Sequence, residues 1–133
     1  MKPFLRHIGL FIVMIGLLAG CRTATIYNVT EATVVSSTGN PLSLDQVRNA
    51  IVAAGTGLGW QMAPTETGHI QGTLNIRSHS AIVDVSYSTE SYNITYKSSS
   101  NLKYDPDDKS IHSNYNGWIQ KLDSAIRARL ATL

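Results

Sequence analysis

Three short segments alternate apolar and polar residues, and their spacing ties each to the next. Residues 69–77 place Ile70, Gly72, Leu74 and Ile76 on one face, with polar side chains on the other. Residues 80–87 do the same with Ala81, Val83, Val85 and Tyr87, and residues 91–98 with Tyr92, Ile94 and Tyr96. Strand side chains alternate with period two, so a correct pairing puts apolar opposite apolar. A two-residue turn at Ser78-His79 pairs Ile76 with Ala81, Leu74 with Val83 and Ile70 with Tyr87. A four-residue loop at 88–91 pairs Tyr87 with Tyr92, Val85 with Ile94 and Val83 with Tyr96. Both registers gather the apolar residues on one face, as an antiparallel meander with one buried face requires. Trp60 and Met62 are expected to start the meander, with Pro64 and Gly68 in the bend. The opposite face carries Gln71, Thr73, Asn75, Asp84, Ser86, Asn93, Thr95 and Lys97, with Ile82 as its one apolar residue. It is expected to face water. Asp84 falls between Thr73 and Thr95 in this register and reads as a hydrogen-bonding strand residue, not a general base.

The apolar face needs a cover, and two helical patterns supply one. Ser43-x-x-Gln46 fits a capping box, and Leu42 with Val47 fits a hydrophobic staple around it. Apolar residues at Leu44, Val47, Ile51 and Ala54 predict a helix over 44–54, with Gly55 as its C′ residue. Gly55-Thr56-Gly57-Leu58-Gly59 follows a helix and has neither common glycine-motif spacing, so it reads as a connection and not as a nucleotide loop. A second helix is expected from an Asn114 or Ser113 cap to about Ala131, with the stripe Tyr115, Trp118, Ile119, Leu122, Ile126 and Leu130. Val29–Ser36 is rich in β-branched residues and reads as a strand. Residues 98–110 read as a polar loop around a turn at Asp105-Pro106-Asp107. The 133 residues suffice for one domain. The expected fold class is α+β: a two-layer sandwich, an antiparallel β-meander with two helices packed on one face.

The N-terminus has a different character. Lys2 and Arg6 precede Ile8–Gly20, an uncharged apolar run. As a helix it spans roughly 20 Å, short of the ~30 Å hydrocarbon core, so it reads as a signal peptide and not as a stable anchor. It ends in Leu18-Ala19-Gly20-Cys21, which resembles the lipobox of bacterial lipoproteins. The resemblance implies transfer of diacylglycerol to the Cys21 sulfur, cleavage before Cys21 and acylation of the new N-terminus. One acyl chain holds a membrane marginally and two or more hold it stably. Arg22, and not the Asp that marks inner-membrane retention, follows the cysteine. The implied location is the outer membrane, with the domain facing the periplasm. The chain then divides into a signal peptide at 1–20, a lipidated N-terminus and tether at 21–28, and a single α+β periplasmic domain at 29–133.

Charge and side-chain chemistry narrow the function. Eleven basic and nine acidic residues give +2 overall. Removal of Lys2 and Arg6 with the signal peptide leaves nine of each. A neutral domain lacks the basic footprint of a nucleic-acid binder. A single cysteine rules out an intrachain disulfide and a cysteine-cluster metal site. His69, His79 and His112 fall at a strand start, a turn and a pre-helix loop, without metal-ligand spacing. Asp105, Asp107 and Asp108 open a calcium-loop pattern, but Ser110 and Asn116 stand where it needs Gly and Glu. No nucleophile elbow occurs. No catalytic residue, cofactor or metal is expected.

The run Ile111-His112-Ser113-Asn114-Tyr115-Asn116-Gly117-Trp118 resembles a tail motif of small proteobacterial outer-membrane lipoproteins without assigned activity. The likeness extends over residues 42–130, including Arg77 and His79. It implies a fold and a location. The run itself has two readings. His112 and the asparagines can satisfy the helix N-terminus while Tyr115 and Trp118 fill the core. Alternatively, His112, Asn114, Tyr115 and Trp118 form a recognition patch for another envelope protein or a glycan. The leading expectation is a non-enzymatic, membrane-anchored lipoprotein with a binding or structural role. The alternative is a periplasmic enzyme or enzyme inhibitor tethered to the membrane.

Overall fold

The computed structural model describes residues 22–133; residues 1–20, read from the sequence as a signal peptide, and Cys21 lie outside the described residues. In chain order the elements are β1 (Thr23–Thr25), β2 (Val29–Thr33), α1 (Leu44–Gly57), β3 (Gln61–Glu66), β4 (His69–Ile76), β5 (His79–Tyr87), β6 (Ser91–Ser100), β7 (Ser110–His112) and α2 (Ser113–Leu130). An antiparallel sheet has the order β2-β6-β5-β4-β3, and β1 pairs with β7 in a second, two-stranded sheet. Ile70, Leu74, Ala81, Val83, Val85, Tyr92 and Ile94 form the sheet's buried face. They share one core with Val47, Ile51 and Ala54 of α1 and with Tyr115, Ile119, Leu122, Ile126 and Leu130 of α2. The fold is the α+β sandwich that the alternation and the two helical stripes predict.

The β5–β6 register is the expected one, pairing Tyr87 with Tyr92, Val85 with Ile94 and Val83 with Tyr96. The β4–β5 register is not. The turn is Arg77-Ser78, so Ile76 meets His79, Leu74 meets Ala81, Gly72 meets Val83 and Ile70 meets Val85. Arg77 adopts φ 54°, the left-handed backbone that this tight turn uses. Gly72 admits the pairing. A Cβ there would approach Val83 Cγ2 to 3.1 Å and the Met62 and Trp60 side chains to 3.3 Å. The slip is two residues, so each side chain keeps its face and only its partner changes.

Other strands differ at their ends. β6 runs past residue 98 to Ser100 across a bulge, because Val83 pairs with Tyr96 and Ile82 with Ser98, leaving Lys97 as the extra residue. β2 stops at Thr33, short of the expected Ser36, and occupies the edge beside β6. Pro64 is not in the bend. It lies within edge strand β3 opposite Ile70, where its missing N–H breaks no interior ladder.

α1 opens with the expected capping box. The Gln46 N–H donates to Ser43 Oγ at 3.1 Å, and the Ser43 N–H donates to Gln46 Oε1 at 2.9 Å. Its end is later than expected. Gly59, at φ 90°, is the C′ residue. Its N–H donates to the Thr56 carbonyl at 3.1 Å, and the Trp60 N–H donates to the Gly55 carbonyl at 3.0 Å. These are the two bonds of a Schellman closure. Gly55 instead lies buried inside the helix, where a Cβ would run into the Met62 thioether, so its absence lets α1 close on β3.

α2 is capped by His112, not by Ser113 or Asn114. The His112 ring Nδ1 accepts the Asn114 N–H at 3.2 Å. Loss of an N-cap costs about 1 kcal/mol. His112→Ala is therefore expected to lower the thermal stability of residues 22–133 by that amount, and His112→Asn is expected to retain most of it. Equal losses in the two variants would deny the ring a capping role.

Residues 22–28, expected as a tether, are tied into the domain. Thr23, Ala24 and Thr25 pair with His112, Ile111 and Ser110. The Ser113 N–H donates to the Arg22 carbonyl at 2.9 Å, and the Ile26 N–H to the Lys109 carbonyl at 2.8 Å. Asn116 clamps the same stretch from both sides. Its Oδ1 accepts the Tyr27 N–H at 2.9 Å, and its Nδ2 donates to the Thr25 carbonyl at 2.9 Å. Segments that pair their backbone this fully are not free linkers.

Candidate functional site

The water-facing side of β4, β5 and β6 brings the titratable and amide side chains together. The two-residue slip decides which ones meet. Asp84 stands opposite Gln71 on β4 and Thr95 on β6, and His69 stands opposite Ser86. His69 Nδ1 lies 3.2 Å from each Asp84 carboxylate oxygen. Both side chains are about 40% exposed (40% and 39%), so the pair is worth less than about 1 kcal/mol. Its interest is chemical. A ring that donates from Nδ1 to a carboxylate keeps Nε2 as the acceptor of its neutral form.

The contacts continue across the sheet. Lys97 Nζ donates to Gln71 Oε1 at 2.9 Å, reaching over β5. Asn93 Nδ2 donates to Ser86 Oγ at 3.2 Å, while Asn93 Oδ1 accepts the Glu31 N–H at 2.8 Å. Ser91 Oγ donates to Glu31 Oε2 at 3.1 Å, which brings β2 into the same chain of contacts. At the hairpin end lies an open recess of about 350 Å³, lined among others by Glu31, His69, Ser86, Tyr87 and Asn93. Other open recesses lie between α1 and α2, about 420 Å³, and beside the 33–42 loop, about 410 Å³.

The four residues of the sequence-derived patch do not share one exposed surface. His112 is half-buried and occupied with the cap, and Asn114 is exposed beside it. Tyr115 is fully buried and Trp118 is half-buried on the flank of the helix. His79 Nδ1 meets the Asn101 carbonyl at 2.7 Å and so fastens the β4–β5 hairpin to the end of β6. The Asp105 carboxylate is occupied in closing its own turn, since Asp105 Oδ1 accepts the Asp107 N–H at 2.9 Å. No cluster of three or more His, Cys, Asp or Glu that could hold a metal occurs among the described residues.

Comparison with known proteins gives no match to a family model, to a curated protein or to a solved structure. The functional reading therefore rests on the chemistry of the chain itself.

Two buried phenols link the sheet to α2. The Tyr92 hydroxyl donates to the Asp123 carboxylate, which also takes Arg127 Nε at 3.1 and 3.2 Å. Burial, and then the bond to Asp123, push the Tyr92 phenol well above its ordinary value. Burial, with a smaller contribution from Tyr96, does the same to Tyr115. Both groups bind their proton more tightly in the folded state. Their ionisation therefore leaves folding stability untouched below the unfolded phenol value of about 10 and lowers it as pH rises beyond that value. Urea midpoints are expected to fall steeply above about pH 10. The Tyr92→Phe, Tyr115→Phe double variant is expected to flatten that fall, and an equally steep fall in it would place the alkaline sensitivity elsewhere.

Proposed function

We propose that this chain is an outer-membrane-anchored lipoprotein with a non-enzymatic binding or structural role in the bacterial cell envelope, its domain facing the periplasm. Leu18-Ala19-Gly20-Cys21 after an apolar run supports the anchoring. The observation that carries the binding role is the cross-linked polar face of β4, β5, β6 and β2. Its donors and acceptors already hold one another in place. Side chains ordered before binding lose little further entropy when a partner arrives. The partner that suits such a face is an envelope protein or a glycan, recognised by hydrogen bonds. The test is photo-crosslinking in living cells from Gln71 and from Thr95, with Lys121 on exposed α2 as the control. A discrete adduct from the two strand positions and none from Lys121 is expected. Equal adducts from all three positions would contradict the assignment.

The His69–Asp84 pair favours a second reading, a periplasmic enzyme or enzyme inhibitor tethered to the membrane. A carboxylate-held imidazole with its other nitrogen available suits a general base. Under that reading His69→Ala abolishes turnover at a stability cost below about 1 kcal/mol.

A further inference from the structure

We propose that the domain rests directly on the membrane that holds its acyl chains, without a free linker, and that its contact surface is the end formed by Arg22, the β7–α2 junction and the first turn of α2. The proposal rests on acylation of Cys21. The partner is a bilayer surface of phospholipid headgroups. The position of Arg22 carries the inference. Its carbonyl accepts the Ser113 N–H at 2.9 Å, and the next residue, Thr23, already pairs with His112. The anchored residue is therefore one peptide bond from a residue fixed at the N-terminus of α2. The Leu102 carbonyl accepts the His112 N–H at 2.8 Å, which brings Lys103 to the same end. If residues 22–28 were instead released as a tether, the domain could stand off by up to about 25 Å. The pairings of β1, Ile26 and Tyr27 hold that length in the fold. Charge does not draw this end to the bilayer. Arg22, Lys103 and Lys109 are offset by Asp105, Asp107 and Asp108. Apposition follows from the short covalent link, and the surface needs only to be compatible with headgroups.

The opposite pole is defined by α2 itself. The helix has 18 residues, about 27 Å of length. At its far end the Ser37 N–H donates to the Leu133 carbonyl at 2.7 Å, so the 36–40 loop lies there. The full chain is expressed with Asn114→Cys or Thr38→Cys, both exposed positions, and taken from membranes after processing. The new thiol carries a fluorophore, since the Cys21 sulfur is occupied by its diacylglyceryl group. The protein is placed in vesicles of phosphatidylethanolamine and phosphatidylglycerol containing a headgroup spin-labelled lipid. Quenching severalfold stronger at position 114 than at 38 is expected. A ten-residue Gly/Ser spacer between Cys21 and Arg22, about 17 Å in root-mean-square length, is expected to remove most of that excess. Equal quenching at the two positions, or quenching at 114 indifferent to the spacer, would overturn the proposal. The intact mass of the same preparation separates the two claims. An acylated chain with equal quenching overturns the apposition alone, whereas an unacylated chain overturns the anchoring and the apposition with it.

Discussion

Val83→Asp is expected to cost more than about 4 kcal/mol and to leave little folded protein at moderate urea. Val83 is fully buried on the central strand β5, between Gly72 on β4 and Tyr96 on β6. A carboxylate there meets apolar neighbours and no cation, so it either takes up a proton or opens the core. Domains of this size have only about 5–15 kcal/mol to lose. The adjacent residue behaves oppositely. Asp84 lies on the other face, and Asp84→Asn disturbs only its half-exposed contact with His69. Its cost is expected to stay within about 1 kcal/mol. Urea midpoints of the two variants provide the comparison, and equal midpoints would contradict the facing of β5.

The second large effect is at Tyr115. Its ring is fully buried beneath Tyr96, with the two ring centres 5.7 Å apart in an edge-on arrangement. Tyr115→Ala removes most of that ring from the core and is expected to cost about 3–5 kcal/mol. Tyr115→Phe should act in the other direction. The Tyr115 hydroxyl is buried without a hydrogen-bond partner among the described residues. A buried polar atom without a partner carries a desolvation penalty of about 1–3 kcal/mol. Removing it is expected to raise the melting temperature. Trp118→Ala is expected to cost less than Tyr115→Ala, because Trp118 only flanks the core. Thermal unfolding of the three variants gives the order directly. A Tyr115→Phe protein less stable than the parent would mean that the hydroxyl has a partner in solution.

The face of each strand residue was legible in the sequence, because parity is a local property and survives any even slip. Register was legible only where the turn gave it away. The 88–91 loop is bounded by Tyr87 and Tyr92, which meet as expected. The other turn was ambiguous, because Arg77-Ser78 and Ser78-His79 both close a hairpin that buries the same residues. Choosing between them depends on how closely Gly72 can approach Val83, Met62 and Trp60, a tertiary fact. The same choice hid the His69–Asp84 contact, since the expected register placed Asp84 opposite Thr73 and moved His69 out of reach. Trp118 was misplaced for a related reason. A helical stripe has edges, and the periodicity that includes residue 118 cannot say where the neighbouring layer ends. Nor did polar composition betray that residues 22–28 are held. The partners of residues 22–27, namely Lys109, Ser110, Ile111, His112, Ser113 and Asn116, are more than eighty residues away in the chain.

Cys21 supports everything proposed about where this protein lives and which of its surfaces meets the membrane. The decisive measurement is the intact mass of the protein extracted from membranes of cells expressing the full chain, with a Cys21→Ser variant beside it. The expected species begins at Cys21 and carries a diacylglyceryl group on sulfur and an acyl chain on nitrogen, while Cys21→Ser retains residues 1–20. A membrane-extracted chain that still begins at Met1, or a mature chain with an unmodified Cys21, would contradict it.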